Sequence, residues 1–147
     1  KFIDMIKIIL KNTKYKIALI GSKSDIELTE SIREKFKDNV INFSGKTNLA
    51  ELAFVIKESA AVVSNDSSPI HFASAFNIPT VAIFGATVPN FGYTPLSDKY
   101  VISEIKGLPC RPCGIHGGNS CPQKHFQCMQ NQDPSLIFQN LISLLEE

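Results

Sequence analysis

The feature that most limits the fold is an alternation. A short apolar run is followed by an amphipathic stretch, then by another apolar run, with few residues between. Ile17-Ala18-Leu19-Ile20, Val40-Ile41-Asn42-Phe43, Ala61-Val62-Val63-Ser64 and Thr80-Val81-Ala82-Ile83-Phe84 are short for helices, and they do not alternate polar with apolar. Strands covered on both faces look like this, because neither face meets water. Between them, Leu28, Ile32 and Phe36 share one helical face, and Leu49, Leu52, Ala53 and Ile56 fall at i, i+3, i+4 and i+7. Asn48 with Glu51 three residues on reads as a capping box. Pro69 to Phe76 predicts a short helix stopped by Asn77 before Pro79. Val101 to Ile105 is a weaker fifth strand. Ile137, Leu141, Leu144 and Leu145 line one face of a closing helix over 133–146. Strands alternating with helices through short connections predict an α/β domain, a Rossmann-like parallel sheet with helices on both faces.

Composition narrows the function. The chain has 147 residues, 44% hydrophobic and 20% charged, which suits one domain over 1–147 with a core of its own. A net charge of +1 argues against a nucleic-acid partner held by a broad positive field. No apolar run reaches the ~18–20 residues of a membrane span, and the first ten residues show no secretory cleavage site. The sequence opens inside what reads as a helix, Phe2 to Leu10, so a fragment of a longer chain is expected.

The junction Val62-Val63-Ser64-Asn65-Asp66-Ser67-Ser68-Pro69-Ile70-His71 runs from a strand end into a helix. In open α/β sheets ligands sit beyond the carboxyl ends of strands. Pro69 suits the first helical position, which makes Ser68 the N-cap. Free N–H groups and the helix dipole there favour an anion such as a phosphate. His71, in the first turn, leans back toward the same point. Asp66, at the strand tip, would repel a bare phosphate but can accept hydrogen bonds from sugar hydroxyls. The plain alternative is that Asp66 and the serines only cap a helix.

All four cysteines fall in a segment, 107–132, that has no helical or strand period and reads as a loop-rich insertion. Cys110, Cys113, Cys121 and Cys128 could form a structural zinc site, with His116 or His125 able to replace a ligand. Two disulfides and four free thiols are the competing readings.

The stretch Asp66-Ser67-Ser68-Pro69-Ile70-His71-Phe72-Ala73-Ser74-Ala75, followed by Ile78-Pro79-Thr80-Val81-Ala82-Ile83-Phe84-Gly85-Ala86-Thr87, resembles the D-[ST]-G-x-x-H-x-A-A-A … PT-x-A-x-FG-x-T pattern of glycosyltransferase family 9, the heptosyltransferases that build lipopolysaccharide core. Gly21-Ser22-Lys23-Ser24-Asp25-Ile26-Glu27 resembles the family's G-S-x-x-D-x-E segment. Gly45-Lys46-Thr47-Asn48-Leu49-Ala50-Glu51-Leu52 resembles its G-x-T-x-L-x-E-L segment. The cysteine-bearing stretch around Cys128-Met129 recurs in many members as well.

The resemblance implies the carboxyl-terminal, donor-binding half of a two-domain GT-B enzyme that transfers sugar with inversion. The donor would be ADP-heptose or a similar nucleotide sugar, and the acceptor lipopolysaccharide core. The acceptor domain and its general base are expected outside this chain, so no catalytic residue is assigned within it. By the same resemblance Asp66 contacts the donor sugar, and Ser67, Ser68 and His71 gather around the diphosphate. Glu27 accepts from the ribose hydroxyls and Thr47 flanks the base. Gly21 and Ser22 end a strand where backbone comes close to the ligand. Ser68 stands where the family usually has Gly, and Ala86 where it usually has Pro. The resemblance implies no metal for catalysis and a cytoplasmic setting, peripheral at the inner face of the inner membrane. A reducing cytoplasm weighs against disulfides. The alternatives are a non-catalytic nucleotide-binding module and half of a GT-B-type nucleotide-sugar epimerase.

Overall fold

In a computed structural model, which describes residues 1–118 and 120–146, the apolar runs become strands paired in parallel. Strand β1 (Ile17–Leu19) pairs with β2 (Val40–Asn42), Ile17 opposite Val40. Strand β4 (Thr80–Phe84) lies between β3 (Val62–Asn65) and β5 (Tyr100–Glu104), with Thr80 opposite both Val62 and Tyr100. The single sheet expected from the sequence is therefore two hydrogen-bonded ladders, β1-β2 and β3-β4-β5. Side chains join them: Ile17 packs into the same cluster as Val63 and Val81, and Ile20 packs against Val62 and Ala73.

The core explains why β4 reads as a continuous apolar run. Its alternate side chains point to opposite faces, and both faces are covered. Val81 and Ile83 pack on Met5 and Ile9 of α1 (Phe2–Asn12) and on Ile137, Leu141 and Leu144 of α6 (Pro134–Glu146). Ala82 and Phe84 pack on Ile70 of α4 (Ser68–Ala75) and on Ile102 of β5. All five residues of β4 are buried. On the smaller ladder, Ile6 of α1 meets Ile32 of α2 (Ile26–Phe36) and Val40 of β2. Ile56 of α3 (Leu49–Lys57) packs with Val62 and Ala73. The capping box forms as expected: Glu51 N–H donates to Asn48 Oδ1 at 3.0 Å, and Asn48 N–H to Glu51 Oε2 at 2.8 Å.

Two local expectations are corrected, and two are borne out in altered detail. Leu28 is 63% and Leu49 72% exposed, so neither belongs to the buried stripe. Thr29 takes the inward place on α2, its hydroxyl satisfied by the Asp25 carbonyl at 2.8 Å. The weaker fifth strand is as long as β4 and fully paired with it, and its mixed residues reflect its place at the edge of the ladder. The helix after β3 starts at Ser68, which makes Ser67 rather than Ser68 the N-cap and puts Pro69 at the second position. The segment 107–132 holds one short helix, α5 (Gln127–Gln130), a single turn and too short to show a period.

Candidate functional site

The residues singled out from the sequence fall into two groups, each at the carboxyl ends of one ladder. At β1 and β2, the loops are held together by Phe43 N–H donating to the Leu19 carbonyl at 2.8 Å and Gly45 N–H donating to the Gly21 carbonyl at 2.9 Å. Gly21 is crowded by its own chain: a Cβ there would lie 3.0 Å from both Asp25 Cβ and Ser44 Oγ. Ser22 opens the 3-10 turn Lys23–Asp25, and its N–H and hydroxyl both donate to Asp25 Oδ2, at 2.7 and 2.6 Å. Glu27 stands exposed in the first turn of α2. Thr47 lines a groove of about 480 Å³ with Phe43, Lys46, Ala50, Glu51 and Phe54. That volume lies within the range of small-ligand clefts.

The two bonds from Ser22 hold the Asp25 carboxyl below its ordinary range, the side-chain bond contributing most. A depressed carboxylate stabilises the fold above its unfolded-state pKa and stops doing so as pH falls through the lowered folded-state value. Asp25→Ala is therefore expected to cost a few tenths of a kcal/mol at neutral pH, given the group's partial exposure. Urea unfolding of wild type and variant should converge in strong acid; a difference that persists there would show that the bonds to Ser22 are not what stabilises the turn.

At β3 and β4, Asp66 sits at the strand tip, half-buried, with its N–H donating to the Ile83 carbonyl at 3.0 Å. The buried Thr87, beyond β4, donates its hydroxyl to Asp66 Oδ2 at 2.6 Å. Ser67 and Ser68 open α4, where the first N–H groups of a helix lack partners within it. The Ser67 hydroxyl turns back to the Asn65 carbonyl at 3.2 Å instead of capping the helix. His71 lies in the first turn of α4, exposed. The structure thus brings Asp66, Ser67, Ser68 and His71 to one junction. It places Gly21, Ser22, Glu27 and Thr47 on the other ladder's loops.

The sequence reading missed Thr87, Arg111 and Glu104. Arg111 Nη2 donates to the Thr87 carbonyl at 2.7 Å and to Glu104 Oε2 at 3.1 Å, while Nη1 donates to the Ile105 carbonyl at 2.6 Å. The ion pair is largely buried, with the side chains 6% and 18% exposed. Cys113 N–H donates to the Ala86 carbonyl at 2.8 Å, and a Cβ on Gly117 would lie 3.2 Å from Ala86 Cβ. At the other end of the segment, buried Gln132 accepts from the Ser103 hydroxyl at 2.7 Å and donates to the Cys128 carbonyl at 3.1 Å. The cysteine-bearing segment is therefore seated against the turn Gly85–Thr87. The sequence signal for Thr87 is its place at the end of a motif; Arg111 sits unnoticed between two cysteines.

The thiols face different partners. Cys110 Sγ lies 3.9 Å from His125 Nε2, Cys113 turns to the Cys110 carbonyl at 3.2 Å, and Cys121 accepts from Phe126 N–H at 3.4 Å. Cys128 is buried on α5, near Gly85. All four are free, and among the described residues no group of three or more His, Cys, Asp or Glu side chains is arranged to hold a metal ion. His116 is exposed and joins no such group. The Phe126 N–H pulls the Cys121 thiol below its ordinary range, whereas burial, and then the neighbouring Cys113, push Cys128 up.

No helix among the described residues is long and apolar enough to cross a membrane. The profile of glycosyltransferase family 9 (heptosyltransferase) matches residues 2–121. The chain is 42% identical over 95 residues to lipooligosaccharide heptosyltransferase 2 of Haemophilus influenzae, covering 62% of this chain and 27% of that protein. It is 39% identical over 149 residues to the Haemophilus ducreyi protein of the same name, covering 93% of this chain and 40% of that protein. Among solved structures, Escherichia coli ADP-heptose lps heptosyltransferase II superposes with a TM-score of 0.79 at 26% identity, over 99% of this chain and 40% of that one. The chain thus spans about a quarter to two-fifths of the length of these relatives.

Proposed function

The chain belongs to glycosyltransferase family 9 (heptosyltransferase), and from that premise we propose that it is the donor-binding part of an inverting glycosyltransferase that moves heptose from ADP-heptose to lipopolysaccharide core. The observation that carries this reading is the junction after β3. A carboxylate held by Thr87 stands beside a helix N-terminus, so a hydroxyl-bearing group and an anion can be bound side by side.

In this reading Asp66 accepts from donor-sugar hydroxyls. Ser67, Ser68 and His71 surround the diphosphate, Glu27 accepts from the ribose hydroxyls, and Thr47 flanks the base in its groove. Gly21 and Ser22 form the floor between them. Inversion needs a base to take the proton from the acceptor hydroxyl, and that base belongs to the acceptor-binding part of the enzyme. This chain supplies the other half of the reaction. As the bond from the sugar to the diphosphate breaks, negative charge grows on the leaving oxygens, and the α4 N-terminus with His71 meets it through preorganised dipoles and hydrogen bonds. No divalent cation is required in that scheme. The enzyme would work in the cytoplasm, peripheral at the inner face of the inner membrane, where its lipid-linked acceptor lies.

Calorimetric titration of the chain with ADP-heptose and with ADP tests the reading. A hydrogen bond to a charged group contributes about 1.5–3 kcal/mol, so Asp66→Ala should weaken ADP-heptose binding roughly tenfold or more and ADP binding far less. Equal losses for both ligands would instead support a plain nucleotide-binding module.

A further inference from the structure

We propose that Thr87, braced by Arg111 of the cysteine-bearing segment, is a positioning residue that aims the Asp66 carboxylate at the donor sugar. This rests on the reading of Asp66 given above and adds the part that sets its orientation. Asp66 caps no helix and pairs with no cation among the described residues; its side chain receives the Thr87 hydroxyl on Oδ2. With that oxygen engaged, Oδ1 is left to accept from a sugar hydroxyl.

Thr87 is itself buried, and its carbonyl is gripped by Arg111 Nη2. The same guanidinium is anchored to Glu104 on β5 and to the Ile105 carbonyl. A flat fork held at two points on a neighbouring strand end, with a third bond to Thr87, makes a stiff brace, which the single ammonium of lysine cannot reproduce. The Cys113 N–H bond to the Ala86 carbonyl ties the same turn to the adjoining loop, where Gly117 leaves room for Ala86 that a Cβ would take. The cysteine-bearing segment thereby becomes part of the donor site without touching the donor. Orientation of this kind matters because a carboxylate displaced by a fraction of an ångström loses the alignment that its hydrogen bond needs.

The test is titration of the chain with ADP-heptose and with ADP, using wild type, Thr87→Val, Thr87→Ser, Arg111→Lys, Asp66→Ala and the double variant Asp66→Ala/Thr87→Val. Valine keeps the shape of threonine and removes the hydroxyl; serine keeps the hydroxyl. Thr87→Val should weaken ADP-heptose by about fivefold, less than Asp66→Ala because the carboxylate remains but is no longer held, and leave ADP unchanged. Thr87→Ser should restore most of that loss, and Arg111→Lys should reproduce it in part. The double variant should be no weaker than Asp66→Ala alone, because Thr87 acts only through that carboxylate. Losses that add in the double variant, or a Thr87→Val loss shared equally by ADP, would make Thr87 a packing residue and overturn the proposal. If Asp66→Ala is selective for ADP-heptose while Thr87→Val changes nothing, the brace is refuted and the donor-sugar reading stands. If Asp66→Ala is itself unselective, that reading falls and the proposal falls with it.

Discussion

Arg111→Met is expected to destabilise the fold by about 3–5 kcal/mol, the cost typical of removing one partner from a buried ion pair. Methionine fills much of the same volume, so the loss is electrostatic. Glu104, 18% exposed, is left with no cation beside it, and the carbonyls of Thr87 and Ile105 lose their donor. Arg111 Nε is buried with no partner among the described residues, so the guanidinium is already incompletely satisfied in the wild type. Replacing both charges with apolar residues of similar size should therefore recover much of the loss. Urea unfolding at equilibrium measures both variants. A cost below about 1 kcal/mol for Arg111→Met would mean that the pair behaves like an exposed one.

Phe84→Ala is expected to cost a similar amount, about 3–5 kcal/mol, for a different reason. Phe84 is fully buried, in one cluster with Ile70, Ala82 and Ile102. Truncation removes apolar contact and leaves a cavity that a strand paired on both sides cannot close by moving. Phe54, 65% exposed on α3, provides the control: Phe54→Ala should fall within about 0.5 kcal/mol of wild type. Comparable losses at the two positions would contradict the placement of the core around β4.

How far the sequence predicts the structure depends on whether a feature is local or long-range. Thr80–Phe84 is legible to the residue, because a strand buried on both faces is apolar along nearly all its length, and the one hydroxyl, on Thr80, is bonded to the Ile78 carbonyl. The Asn48–Glu51 box is legible because both partners lie within one turn. Tyr100–Glu104 is harder to read: Tyr100 is exposed at the edge, while Ser103 and Glu104 are polar residues bonded to Gln132 and Arg111 of the cysteine-bearing segment, and the three blur the pattern. Adjacent serines at 67 and 68 are equivalent as caps by residue type, and proline is accepted at either of the first two helical positions, so spacing alone chose the wrong one. Leu28 and Leu49 match helical spacing, but spacing does not tell which side of a short helix meets the core. The family motif brings out Asp66 and His71. The brace beneath them, from Thr87 through Arg111 to Glu104, joins residues with no local signature, and only the packing of the cysteine-bearing segment brings them together.

The covering of β4 by helices from both ends of the described chain has a consequence for biosynthesis. Val81 and Ile83 leave the ribosome well before the residues of α6 that will shelter them. During that interval the nascent polypeptide displays a β-branched stripe to solvent, the kind of surface on which chaperones act and neighbouring chains aggregate. Slowing translation of the codons for α6 should prolong that vulnerable period more than the same delay placed on the codons for β3.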